Sequence, residues 1–178
     1  MNSMSKGHCR DQKENCSKKS KETDVILKCG SSVPATVLAT TPANTAFRLS
    51  SLTLNTRRID DPCIKFEFAS NLVFTTPAAG AIAVNLNFQI FKQCKNQTTP
   101  TPIGPVWTFT RAAAATVAGV ILADTFTFLV CDCDLCPDDC CTYFVAATTV
   151  GATNGTVAIN NPILSALVVE NENKCHCC

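Results

Sequence analysis

The sequence predicts an all-β protein: an antiparallel, jelly-roll-like β-sandwich with a flexible N-terminal arm and a short Cys-rich C-terminal tail. Three observations predict it. Apolar and polar residues alternate with the period of half-buried strands, as in Ile64, Phe66 and Phe68 against Lys65 and Glu67. Turn chemistry separates these segments at short intervals. Helical periodicity is nearly absent. Roughly eight to ten strands at this spacing argue for two packed antiparallel sheets.

Residues 1–23 read as a flexible connector arm, polar and mixed in charge, with no apolar period. The sandwich domain spans residues 24–170. Its first strands fall at 25–29, 36–39 and 46–54. Asp61-Pro62 marks the turn before Ile64. Thr76-Pro77 and Gly80 precede a strand with Ile82, Val84, Leu86, Phe88 and Ile90 on one face and Asn85, Asn87 and Gln89 on the other. Pro100, Pro102 and Pro105 interrupt the chain before a strand at 105–110, where Trp107 and Phe109 read as core. Residues 112–123 are ambiguous. Their alanines favour helix, whereas Thr116, Val117, Val120 and Ile121 favour strand. The stretch reads as a strand edge or loop insertion, with a short helix as the competitor. Phe126, Phe128 and Val130 alternate with Thr125 and Thr127. Strands at 142–149, 155–160 and 164–170 complete the set. Asn154-Gly155 predicts a tight hairpin, because both residues accept the positive φ of a type I′ turn. Residues 171–178, NENKCHCC, form the tail.

Charged residues are 16% of the 178-residue chain, against about a quarter in ordinary soluble domains. Residues 1–24 alone hold ten of these charges, so the body has little to oppose self-association. A net charge of +1 gives no field for nucleic acid or an anionic membrane, and neither partner is expected. The N-terminus lacks the apolar segment of a secretory signal. The longest apolar run, residues 112–123, is too short to span a bilayer. Synthesis in a reducing cytoplasm is therefore expected, yet the chain carries 13 cysteines. Either the thiols hold metal there, or the cell later opens and air oxidises them, as when the mother cell of a spore lyses.

An odd cysteine count leaves one thiol free, on a metal, or paired with another chain. Five cysteines crowd one stretch, CDCDLCPDDCCTYFV, from Cys131 onward. Cys133 and Cys136 have one zinc-knuckle spacing, but a second knuckle would have to come from Cys175, His176, Cys177 and Cys178. The same pair is formally a C-x-x-C redox motif, but strands flank it and Pro137 follows, unlike a thiol at a helix N-terminus. A nucleophilic cysteine needs a positioned base, and the two histidines, His8 and His176, lie in the tails. No Gly-rich phosphate loop, H-E-x-x-H or G-x-S-x-G occurs. Neither an enzyme nor a cofactor is expected.

Covalent staples fit best, with the cluster as a stapled hairpin. In an extended chain the adjacent Cys140 and Cys141 point to opposite faces. Candidates for intrachain disulfides are Cys29, Cys63, Cys94, Cys131, Cys133 and Cys136. For Cys29, Cys63 and Cys94 the competing reading is a buried thiol that packs as a small hydrophobe. Candidates for bonds between subunits are Cys140, Cys141 and the terminal cysteines Cys9, Cys16, Cys175, Cys177 and Cys178. A thiol on a polar arm has little value to its own fold and can reach another chain.

The stretches VILKCG at Val25, PCIKFEF at Pro62, FQIFKQCKNQ at Phe88, GPVWTFTR at Gly104 and DTFTFLVCDCDLCPDDCCTYFV at Asp124 resemble a cysteine-rich domain family of anaerobic clostridial spore formers. The resemblance covers about residues 24–149. In design the chain also resembles the endospore appendage subunits of bacilli, jelly-roll proteins with a cysteine-bearing N-terminal connector, stacked into fibres joined by disulfides. That resemblance implies a self-assembling structural subunit on the spore surface. It would pair with copies of itself through sheet edges and the N-terminal arm, with spore anchor or tip proteins as further partners. A non-fibrous coat or exosporium protein is the nearer alternative, and a cytosolic zinc- or copper-binding module the more distant one.

Overall fold

The computed structural model describes residues 25–76, 80–95, 97–115, 119–133, 140–151 and 153–170. Among them there are strands and no helix. Ten strands follow one another: β1 (Ile26–Cys29), β2 (Ser31–Ser32), β3 (Ala35–Val37), β4 (Ala46–Asn55), β5 (Pro62–Thr75), β6 (Gly80–Cys94), β7 (Thr101–Ala115), β8 (Ile121–Asp132), β9 (Cys140–Thr149) and β10 (Thr156–Glu170). They form two antiparallel sheets packed as a jelly-roll-like sandwich. The first sheet runs β1-β10-β5-β8, with β3 also on β10; the second runs β2-β4-β9-β6-β7.

Alternation in the sequence becomes burial. Along β5, Ile64, Phe66, Phe68, Leu72 and Phe74 are buried while Lys65, Glu67, Ala69 and Asn71 are exposed. Leu86, Phe88 and Ile90 of β6 and Tyr143, Val145 and Ala147 of β9 face them from the second sheet. Aromatic rings join the layers: Phe66 and Tyr143 lie 4.8 Å apart between centroids, and Phe68 and Phe88 5.9 Å. Burying each such ring contributes about 1.5–3 kcal/mol.

From β4 onward, β6 and β7 are the one successive pair that hydrogen-bonds as a hairpin; every other connection crosses between sheets. This corrects two expectations. Asn154-Gly155 is no hairpin turn, because β9 and β10 lie in different sheets and Asn154 bridges Ala83 instead. The cysteine cluster is no hairpin either, since β8 and β9 also belong to different sheets. The expected strands at 155–160 and 164–170 are one strand, β10, with a register shift between Asn160 and Ile163 and a positive φ at Asn161. In the ambiguous alanine stretch, residues 112–115 end β7 and residues 121–123 begin β8.

The two sides of the sandwich differ. On one side the chain laces the sheets together: β1 pairs with β10, β2 with β4, and β3 again with β10. Ser50 is the knot. A register shift between Arg48 and Ser50 turns Leu49 and Ser50 both inward. The buried Ser50 hydroxyl donates to Ser31 O at 2.7 Å and accepts from Leu164 N at 3.0 Å. Gly30 makes the close approach possible, since a Cβ there would stand 2.7 Å from Ser51 O. On the other side β7 and β8 are unpaired sheet edges. Arg111 on β7 donates to Asp124 on β8 at 2.6 Å, and Trp107 stacks on Phe128 at 5.6 Å. Trp107 is thus a seam residue, exposed at the edge, and not the core residue its flanks predict.

Candidate functional site

The candidate site is one end of the sandwich. There β4 and β6 end, β5 begins, β8 ends and β9 begins. Antiparallel pairing of β1 with β10 brings Ile26 opposite Val168, so the chain also enters and leaves the body at this end. Each sheet carries one disulfide there. Cys94 and Cys141 are direct register partners on β6 and β9 and are bonded. Both sulfurs belong to the core, Cys141 being 2% and Cys94 7% exposed. In the first sheet, Cys63 bonds Cys133, continuing the register that sets Ile64 opposite Asp132.

This placement differs from the sequence reading for three residues. Cys141, expected to face another chain, is buried and bonded within its own, because the pleat turns it inward against Cys94. Cys29 and Cys131, expected as internal staples, are exposed thiols. The register explains both. Cys29 stands opposite Ser165 and Cys131 opposite Lys65, so neither has a cysteine facing it. Cys140 points outward, opposite in sense to Cys141, and is an exposed thiol. Cys9, Cys16, Cys136, Cys175, Cys177 and Cys178 lie outside the described residues.

Cys140 sits in a depression of about 320 Å³ lined by Thr53, Gln93, Cys94, Lys95, Gln97 and Thr142. Its walls are held by hydrogen bonds. Cys94 N donates to Gln97 Oε1 at 3.1 Å, Gln93 Nε2 donates to Gln97 O at 3.3 Å, and the Thr53 and Thr142 hydroxyls meet at 3.1 Å. Cys131 lies beside Lys65, whose amine is 2.7 Å from Glu67 Oε1. The hydrogen bond and charge of Glu67 hold the Lys65 pKa above its ordinary value, so the amine stays charged. Among the described residues no group of three or more His, Cys, Asp or Glu is placed to hold a metal ion. Chemically, the arrangement offers thiol–disulfide chemistry at an exposed surface.

The family described as "Domain of unknown function (DUF4489)" matches residues 23–169. No curated protein matches the sequence. Among solved structures, that of infectious bursal disease virus Gx strain is 15% identical with a TM-score of 0.38, over 85% of this chain and 33% of the viral one. The infectious bursal disease virus VP2 subviral particle is 13% identical with a TM-score of 0.31, over 84% and 38%. A carbohydrate-binding module from the beta-sandwich super family is 10% identical with a TM-score of 0.30, over 78% and 55%. This chain therefore spans about a third of the viral chain it matches.

Proposed function

The chain belongs to this family of unknown function, and we propose a structural role for it: a subunit that self-assembles into a disulfide-cross-linked fibre on the spore surface. One observation carries the reading. The body closes Cys94–Cys141 in its core and Cys63–Cys133 across the first sheet, and leaves Cys131 and Cys140 as exposed thiols at the end where the chain enters and leaves the body. Cys140, in its depression, is the receiving thiol, and Cys9 or Cys16 on the arm of a neighbouring copy is the incoming one. Closing the bond takes two protons and two electrons from the two thiols, and dioxygen accepts them once the mother cell has lysed. The unpaired edges of β7 and β8 are the surfaces for strand addition between copies. Each intersubunit bond then holds the polymer against dissociation, which a marginal non-covalent contact does not.

The test is a comparison of boiled gels with and without reductant, followed by negative-stain imaging. The reading expects a reductant-sensitive ladder and filaments. Cys140→Ser, or removal of residues 1–23, abolishes the ladder. Sheets or amorphous layers in place of filaments support a coat or exosporium component. A monomer on both gels, carrying stoichiometric zinc, refutes the structural reading in favour of the metal module.

A further inference from the structure

Resting on that assembly reading, we infer that the outer face of the first sheet is a self-complementary contact surface for a second copy of this chain. Exposed apolar side chains gather on it. Leu27 is 74% exposed, Leu129 53% and Ile163 45%, with Leu167 between them on β10. A shallow groove of about 530 Å³ crosses the face, with Leu129, Ile163, Ala69 and Thr127 in its walls. The outer face of the second sheet has a different character. There Thr108 donates to Asn87 at 2.8 Å, Gln89 to Gly104 O at 3.2 Å, and the Thr53 and Thr142 hydroxyls pair. Both faces mix polar and apolar groups, with Lys65, Glu67 and Asn71 on the first and a Phe91–Phe144 stack beneath Arg48 on the second, but the strongly exposed aliphatic side chains, Leu27, Ile121, Leu129, Ile163 and Leu167, gather on the first.

Charge and size identify the occupant. Lys65 and Glu67 pair with each other on β5, so the centre of the face is neutral and attracts neither an acidic nor a basic partner. The residues of β1, β10, β5 and β8, each covering about 4.8 Å by 3.4 Å of sheet, present about 700 Å², since β1 is only four residues long. A standard interface uses about 800 Å² per partner. Two such faces stack as sheets do in a sandwich, about 10 Å apart. A two-fold axis parallel to the strands makes the contact isologous and lays β1 of one copy over β8 of the other. The register then sets Leu27 over the mate's Cys131 row and Leu129 over its Cys29 row, since Leu27 aligns through Leu167 and Lys65 with Cys131, and Cys29 through Ser165 and Glu67 with Leu129. Both thiols of this face are shielded by pairing. Cys140, on the other sheet, lies away from the contact.

Alkylation of the full chain with iodoacetamide, read peptide by peptide by mass spectrometry, tests this directly. Reductant is present throughout, so thiols are compared without disulfides between copies. Between dilute and concentrated protein, labelling of Cys29 and Cys131 is expected to slow by about ten-fold, as it does when nine copies in ten are docked. Cys140 serves as the internal reference and keeps its rate. Leu129→Glu and Ile163→Glu, both at exposed positions, are expected to restore fast labelling and a monomeric sedimentation coefficient; Thr108→Glu, exposed on the other sheet and outside the Cys140 depression, does neither. Equal labelling of Cys29 and Cys131 at all concentrations, or a pair that survives both glutamates, overturns the inference. The two readings fail separately. A ladder with filaments but unshielded Cys29 and Cys131 refutes this face alone. A reductant-resistant pair with no ladder under oxidation supports the face and refutes the disulfide polymer.

Discussion

Replacing Ser50 by alanine removes one hydroxyl and cuts two hydrogen bonds, one within the second sheet and one between the sheets. The bond to Ser31 O ends on a residue at the surface, where water replaces the lost donor. The bond from Leu164 N does not: Leu164 is fully buried, and its amide is left with no partner. A stranded buried amide costs about 1–3 kcal/mol, and the cavity left by one oxygen adds little, so a loss of about 2 kcal/mol is expected. Equilibrium urea unfolding, followed by the fluorescence of the single Trp107, reads it as a lower midpoint at unchanged slope. The effect has an address. Gly30 N donates to Leu164 O and Val33 N to Leu49 O within the lace, so their amide exchange is expected to accelerate by about 30-fold, the factor matching about 2 kcal/mol. Ser31→Ala is the control, because that side chain makes only two 3.3 Å contacts to Ser51. A loss below about 0.5 kcal/mol for Ser50→Ala, within the range of ordinary surface substitutions, or unchanged exchange at Gly30 and Val33, refutes the role of Ser50 as the knot.

Three further outcomes follow from the same structure. The double change Cys94→Ala with Cys141→Ala opens a bridge between residues 47 apart and is expected to cost about 4 kcal/mol by loop-closure entropy, read as a lower denaturant midpoint. Gly104 holds a φ of +65° with Val130 Cγ1 only 2.6 Å from where a Cβ would lie. Gly104→Ala is therefore expected to cost about 1–3 kcal/mol, and Val130→Ala in the same chain recovers part of it, a non-additivity that a double-mutant cycle detects. Arg111→Ala breaks the pair with Asp124, but both side chains are about a third exposed, so thermal unfolding is expected to report a loss under about 1 kcal/mol.

The inward faces of β5 and β6 are legible in the sequence because both strands are half-buried, so the alternation of Ile64 to Phe68 and of Val84 to Ile90 maps onto burial. The same pleat makes the opposite senses of Cys140 and Cys141 legible. Sheet membership is not. Alternation says which side chains turn inward, not which sheet they turn inward from. The segment joining β8 to β9 thus reads as a hairpin although it crosses the sandwich. The disulfide partners lie 70 and 47 residues away, and nothing local marks such pairings. β2 is invisible for another reason: Ser31 and Ser32 carry no apolar pattern, and their pairing is set by the lace around them.

Parity and geometry together constrain what these cysteines can do. Four of the described cysteines are bonded within the chain, and Cys29, Cys131 and Cys140 are exposed thiols. Cys29 and Cys131 lie on opposite edges of the first sheet, with β10 and β5 between them. Three strand spacings separate them by about 14 Å, beyond the roughly 7 Å between Cα atoms that a disulfide tolerates. Cys140 sits on the outer face of the other sheet. None of the three can therefore pair with another in the same body without unfolding it. Their oxidised partners must come from the segments outside the described body or from another chain. With 13 cysteines, those segments cannot satisfy every thiol within one chain, because an odd set always leaves one over. Full oxidation through disulfides requires an even number of chains. Two chains are the smallest assembly that meets this condition, and a fibre meets it whenever its chains are even in number.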